Sequence, residues 1–347
     1  MGNYISFCPD PLHALIISYG IGATSSAHPP GVVVNGTDYS AVKLVGEGGC
    51  SFVYEGCNNA TGERVALRRC VFTESEQQQG SLDELSIHRD LCPNDYIVTY
   101  LDSGIVYRPG TPLPEMWVVM EFCEGPSLQE YINKRLQSPE PFSAGEVFEI
   151  VDNLVHAIGH LHSQSPPVSH WDIKPDNFLF TRTGRLKLCD FGSATRRFYA
   201  PKSAEEVSVA ESELGSKMTL LYRSPESLDL WSKDRVDTKA DIWALGVIIY
   251  VLVFCEMPFE ANPMDVISAV PRRYKNGQES RCPEDFKALM DVVLTHMLTK
   301  KPADRADIFS ISEELEGITQ LPPLSRPRPG LLSAQRPRFP VIHEGRV

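Results

Sequence analysis

Long apolar runs are missing from this sequence. No stretch of its 347 residues approaches the ~18 apolar residues that a membrane helix needs. The apolar run Leu12 to Gly22 is short and has no basic leader, so a secretory signal peptide is not expected. Without secretion, the glycosylation sequons Asn35-Gly36-Thr37 and Asn59-Ala60-Thr61 carry no weight. Paired cysteines are missing too. Nine cysteines are scattered from Cys8 to Cys282 with no CxxC pair, which excludes a disulfide framework or zinc site and suits a reducing, cytoplasmic setting. Basic charge is also in deficit. The 33 Lys and Arg stand against 45 Asp and Glu, a net charge of −12, so a protein that coats nucleic acid is not expected. What remains is a composition 42 % hydrophobic and 22 % charged, that of a soluble protein long enough to bury a sizeable core.

The charge deficit is uneven. The first 42 residues hold no Lys or Arg, and Lys43 is the first base. Met1-Gly2-Asn3-Tyr4-Ile5-Ser6 fits the myristoylation pattern, which would acylate Gly2. One such chain anchors only marginally, and no polybasic patch is at hand to help it. Palmitoylation of Cys8 would supply the second signal and a peripheral place on a cytosolic membrane face. Ala23 to Gly36 is rich in Ser, Pro and Gly, so residues 1–37 read as a flexible tail with a lipid anchor. Residues 321–347 form a second tail, with Arg326, Arg328, Arg336, Arg338 and Arg346 against Glu344 among several prolines. Such a segment builds no core. It stays unstructured or docks, on an anionic membrane or on the protein's own acidic face.

Between the tails lies an ordered series of motifs. Ala41 to Val45 is a β-prone run, followed by Gly46-Glu47-Gly48-Gly49-Cys50-Ser51-Phe52-Val53-Tyr54. Strand, glycine turn and strand let backbone N–H groups approach phosphates, because glycine has no Cβ to obstruct them. Val53 would then lie under a purine ring. Val65-Ala66-Leu67-Arg68-Arg69 follows, then an expected helix from Gly80 to Leu91 carrying Glu84. Val118 to Cys123 reads as a strand running into Glu124-Gly125-Pro126, a flexible joint. Ser127 to Leu136 and Ser143 to Ser163 read as helices by their apolar spacing. Composition thus turns from strand-rich to helix-rich near residue 124, dividing 38–123 from 124–320.

His170-Trp171-Asp172-Ile173-Lys174-Pro175-Asp176-Asn177 comes next, with Asp190-Phe191-Gly192 a short hairpin later. One Asp to orient a hydroxyl, an Asn to hold metal and a second Asp beyond form a phosphoryl-transfer set. Over residues 39–316 the sequence resembles the eukaryotic protein kinase family. Ser224-Pro225-Glu226 stands where that family has Ala-Pro-Glu, and Asp241 to Gly246 is similar to the buried helix that braces the catalytic loop. Arg305 stands where a structural arginine pairs with Glu226. Lys174 with Thr219 is similar to the Ser/Thr type. The glycine loop and the acylation-type start are similar to the Numb-associated kinase group and its small acylated members.

The resemblance implies an α+β, two-lobed fold: a small antiparallel sheet with one helix, then a larger helical lobe. It implies ATP in the cleft, held by Gly46, Glu47, Gly48, Gly49, Cys50, Ser51, Val53, Ala66, Arg68 and Glu84. Met120 would be the gatekeeper, and Glu121 to Cys123 the hinge. Asn177 and Asp190 would hold Mg²⁺, Asp172 and Lys174 would be catalytic, and the second substrate would be a protein Ser or Thr. Two positions depart from the family. Arg68 replaces its strand lysine, and the two are not interchangeable at a fitted site. That leaves two readings open, a working enzyme or a scaffold with the fold alone. Trp171 replaces the arginine that receives an activation-segment phosphate, so phosphorylation there is not the expected switch. The segment from Asp190 to Glu226, with many Ser and Glu, reads as a regulated loop or a disordered insertion, the insertion falling around Ala204 to Ser216.

Overall fold

The computed structural model describes residues 31–48, 51–72, 75–107, 113–138, 141–260, 262–277, 282–319 and 324–325. Six strands form one antiparallel sheet: β1 (Val32–Val34), β2 (Thr37–Gly48), β3 (Ser51–Asn58), β4 (Arg64–Val71), β5 (Tyr100–Val106) and β6 (Glu115–Glu121). Their order is β1-β2-β3-β4-β6-β5, so β1 and β5 are the two edges. The sheet curls until these edges meet, where Asn35 Nδ2 donates to Asp102 Oδ1 at 2.7 Å and to the Ser103 carbonyl at 3.0 Å. Strand alternation puts Val34, Tyr39, Phe52, Tyr54, Leu67 and Trp117 inside the curl. Ser51, Val53, Ala66 and Arg68 alternate with them and take the opposite face. Helix α1 (Ser75–Leu91) packs against that second face beside Cys70, Phe72, Met116 and Val118.

The larger lobe is built on helices α2 (Leu128–Leu136), α3 (Ala144–His162) and α6 (Lys239–Phe254). Ser127 and Ser143 cap α2 and α3, each answered by a glutamate three residues on in a capping box. Helix α6 is apolar all round and buried along nearly its whole length, as a central core helix must be. The hairpin β7 (Phe178–Phe180) with β8 (Leu186–Leu188) floors the cleft. Further round the lobe are α4 (Ala204–Lys217), α5 (Pro225–Leu228), α7 (Pro263–Ser268), α8 (Lys287–Val292) and α9 (Ile308–Thr319). No helix among the described residues is long and apolar enough to cross a membrane. The fold is α+β and two-lobed.

Several expectations need correction. The sheet begins at Val32, not after a tail ending at 37, because Asn35 (φ 45°) and Gly36 (φ 86°) turn β1 back onto β2. An Asn-Gly pair at positive φ is the hairpin turn that matches strand twist. Helix α1 starts at Ser75, five residues before the expected Gly80. Strand β6 runs Glu115–Glu121, so Phe122 and Cys123 lie beyond it. Glu124-Gly125-Pro126 is no flexible joint. The Gly125 amide donates to the Phe180 carbonyl at 2.9 Å and the Phe180 amide to the Pro126 carbonyl at 3.0 Å. Ala204 to Ser216 is helix, not disordered insertion. Leu324, assigned to the second tail, packs on the large lobe at Gly159, and its amide donates to Ser312 Oγ at 2.9 Å.

Candidate active site

The loop after α3 is fixed by one buried carboxylate. Asp241, near the start of α6, accepts from the amides of His170 and Trp171 at 2.8 Å each and from His162 Nε2 at 3.0 Å. Trp171 is thereby held at φ 62°, a left-handed conformation that costs a non-glycine residue ~1–3 kcal/mol. The turn it makes delivers Asp172.

The Asp172 carboxylate is saturated with donors. Oδ1 accepts from Thr219 Oγ1 at 2.6 Å and from the Thr219 amide at 3.2 Å. Oδ2 lies 2.7 Å from Lys174 Nζ and accepts from Asn177 Nδ2 at 3.2 Å. Lys174 Nζ also donates to Thr219 Oγ1 at 3.0 Å. Burial pushes the Asp172 carboxyl up, but the bonds from Lys174 and Thr219 and the Lys174 charge outweigh it. The group is held below the ordinary aspartate value, and so ionised.

The second part of the site lies across the cleft. The Cys189 amide donates to the Asn177 carbonyl at 2.9 Å, which brings Asp190 beside the catalytic loop. Asp190 adopts φ 60°, and its side chain is half exposed toward the cleft. Arg68 on β4 and Glu84 on α1 form a forked ion pair. Arg68 Nη1 bonds Glu84 Oε1, Nη2 donates to Oε2 at 3.2 Å, and Nη1 lies 4.0 Å from Asp190 Oδ1. Burial works against the Arg68 charge, but Glu84, with Cys70 and Asp190 beyond it, more than offsets this and raises its pKa. The guanidinium thus stands between Glu84 and Asp190, at the position where the resemblance implies a strand lysine.

Gly46 of β2 faces Val53 across the hairpin, 3.6 Å from where a Cβ would lie to the Val53 Cβ, so this roof is closely built. Glu47 pairs with Phe52, and Gly48 with Ser51. Ala66 pairs with Met120, at the back of the cleft. The Glu121 side chain is engaged as well. It accepts from Lys187 Nζ at 2.7 Å and from the Thr99 amide at 3.0 Å, and so ties the end of β6 to β8. The Cys123 thiol is pushed up to about 12 by burial, with Glu121 adding to it, and is no nucleophile. Gly2, Cys8, Gly49 and Cys50 lie outside the described residues.

The donors present fit Mg²⁺. Asn177 and Asp190 offer hard oxygen ligands, and Asp190 is turned to the cleft by its own backbone. Among the described residues no group of three or more His, Cys, Asp or Glu is placed to cage a metal. Mg²⁺ suits such a sparse set, because it keeps several waters and takes its other oxygens from phosphates.

Sequence reasoning missed what supports these groups. Phe191 packs between His88 of α1 and His170, with ring centroids 4.7 and 5.5 Å away. His88 Nε2 donates to the Val98 carbonyl at 2.7 Å, and burial lowers the pKa of the ring, which stays neutral. A histidine four residues after Glu84 on a helix was the available signal. Glu226 and Arg305 form the expected buried ion pair, at 2.8 and 3.0 Å.

The protein kinase domain family matches residues 39–315. A probable serine/threonine-protein kinase of Dictyostelium discoideum is 33% identical over 285 residues, 82% of this chain and 24% of that protein. A second one from that organism is 31% identical over 291 residues, covering 83% of this chain and 35% of the relative. An actin-regulating kinase of Saccharomyces cerevisiae is 29% identical over 305 residues, 86% of this chain and 36% of the relative. The chain therefore spans between 24% and 36% of the length of these relatives. The family match runs from the second strand of the small lobe to the last helix of the large one, and this chain belongs to the protein kinase family.

Proposed function

We propose that this chain transfers the γ-phosphate of Mg-ATP to a Ser or Thr hydroxyl of a protein. The observation that carries this is the Asp172 carboxylate, held ionised by Lys174, Thr219 and Asn177. A carboxylate with fixed orientation aligns a hydroxyl for in-line attack and receives its proton as the bond forms. Lys174, already on Asp172, meets the transferred phosphoryl group. Arg68 would meet the α- and β-phosphates. Asn177 and Asp190 would hold Mg²⁺, which would supply neutralisation of charge at the phosphates. Similarity to Ser/Thr kinases supports the substrate class. The test is phosphate transfer by the purified chain to a mixed Ser/Thr peptide set, against Asp190→Ala. Signal from the wild type that vanishes in the variant is expected. Signal that is equal in both would overturn the reading.

Arg68 supports a second reading, a scaffold that keeps the fold without turnover. Its guanidinium is already bound to Glu84, and a fork cannot replace a point charge at a fitted phosphate site without displacing it. Arg68→Lys discriminates. Little change in rate supports the enzyme. A gain of about 100-fold from a near-zero baseline, the size expected from removing a ~1 Å misplacement, supports the scaffold.

We also propose that Gly2 is myristoylated and Cys8 palmitoylated, which tethers the chain to a cytosolic membrane face. The motif Met1 to Ser6 and the nearby thiol support it. Gly2→Ala is expected to shift the protein from membranes to the soluble fraction, and a wild type already soluble excludes the anchor.

A further inference from the structure

The hinge segment lacks a ladder. Glu121 ends β6, and its amide donates to the Thr99 carbonyl at 2.9 Å. The next anchored amide is that of Gly125, on the Phe180 carbonyl at 2.9 Å. Between them, Phe122, Cys123 and Glu124 lie in no strand or helix, and among the described residues no backbone group pairs with theirs. A backbone edge left open in this way is free to meet the polar edge of an adenine. It also has no pairing of its own to fix its shape.

Side chains supply what the ladder does not. Arg64 opens β4. Its Nε and Nη2 donate to Glu55 Oε1 on β3 at 3.2 and 2.8 Å. Nη1 donates to Glu124 Oε1 at 2.9 Å. The guanidinium also lies over the Phe122 ring, 4.5 Å from its centroid. The other Glu124 oxygen is 3.9 Å from Arg182 Nε, on the turn between β7 and β8. One side chain of the small sheet therefore grips both neighbours of Cys123, and Glu124 continues the contact to the large lobe. A planar fork can pair with two carboxylates and stack on a ring at once, which an ammonium cannot do. The Arg64 side chain is 47 % exposed, and ion pairs so exposed contribute little to folding free energy. What this one can do is fix a shape.

We propose that Arg64 is a positioning residue for the adenine of the nucleotide. It holds Phe122 and Glu124 so that the open backbone between them is already in the form the base requires. A preformed edge binds more tightly, because its ordering is complete before the ligand arrives. The inference rests on the phosphate-transfer reading above and extends it from the phosphates to the base.

The experiment uses the full chain and adenosine, which carries the base without the phosphates and has no charge. Calorimetry at about 0.05 and 0.5 M salt reads its affinity. Arg64→Met keeps the stem and removes the fork, and is expected to weaken adenosine about threefold to tenfold. The higher salt should weaken adenosine on the wild type, whose ion pairs are exposed, and leave Arg64→Met unchanged. Arg64→Lys, which keeps the charge without the fork, should fall between the two. In phosphate transfer, Arg64→Met should raise KM for ATP by the same factor and leave kcat within about twofold, because Asp172 and its partners are untouched. Its melting temperature should stay within about 2 °C of the wild type. Equal adenosine affinity in the wild type and Arg64→Met overturns the proposal, as does a loss that salt does not reproduce in the wild type. A fall in kcat as large as the rise in KM also overturns it. A wild type that binds adenosine but transfers no phosphate fails the activity reading alone, and the adenosine affinities still decide the role of Arg64. A wild type that binds no adenosine overturns both.

Discussion

At the scale of single residues, the site is a contest between burial and hydrogen bonding, and Asp172 shows which wins. Burial raises its pKa, while Lys174 and Thr219 stabilise the charged form by more. A carboxylate with a depressed native pKa stabilises the fold above its unfolded value near ~4, and this contribution is lost as pH falls through the native value. Asp172→Asn removes the titrating group. Its unfolding free energy is therefore expected to fall less steeply than that of the wild type below pH ~4, with the two slopes equal near pH 7. Denaturant melts over a pH series read this directly, and parallel slopes throughout would contradict it. Asp172, Lys174, Asn177 and Asp190 were legible because their order is local and their chemistry leaves few alternatives. His88 and the side-chain duty of Glu121 were not legible. Each is defined by a partner on another element, Val98 and Phe191 for one, Lys187 for the other.

At the scale of elements, local signals were read well where the chain itself terminates a helix. Ser127 and Ser143 with their glutamates mark the starts of α2 and α3 within the sequence. Helix α4 was missed because its Ser- and Glu-rich sequence shows only a narrow apolar stripe, and the surface that buries it is Trp171, far back in the chain. The β1–β2 hairpin was missed although its turn, Asn35-Gly36, is a strong local signal. That turn gives a clean test. A Cβ on Gly36 would meet nothing within 4 Å, so Gly36→Ala probes backbone conformation alone at φ +86°. The variant is expected to lose ~1–2 kcal/mol, the cost of a left-handed alanine. The loss should appear as a lower denaturant midpoint with exchange quickened at the β1–β5 seam. An unchanged midpoint would mean that the hairpin contributes nothing to the closure of the sheet.

At the scale of the whole molecule, a cleft enzyme needs its two lobes in fixed register, because Arg68 comes from one and Asp172 from the other. Beside the backbone pairing of Val98 and Tyr96 with Leu188, two further described connections near the hinge help to set that register. One is the ion pair of Glu121 at the end of β6 with Lys187 on β8, at 2.7 Å. The other is the crossing at Gly125, where an added Cβ would lie 2.6 Å from the Phe180 Cβ and 2.7 Å from its carbonyl oxygen. Backbone cannot yield at that distance, so Gly125→Ala must push the hinge away from β7. The shift moves the adenine side of the cleft relative to Asp172, and a ~1 Å error in such geometry costs about 100-fold in rate. Lys187→Met acts differently. It leaves the half-buried Glu121 carboxylate without its cation, which is expected to cost ~1–3 kcal/mol of stability. The two variants therefore separate geometry from stability. Gly125→Ala should lower kcat/KM for ATP far more than its melting temperature suggests, whereas Lys187→Met should lower the melting temperature and leave kcat/KM nearer the wild type. If both variants change the two quantities in proportion, the hinge contributes only stability, and register between the lobes is set elsewhere.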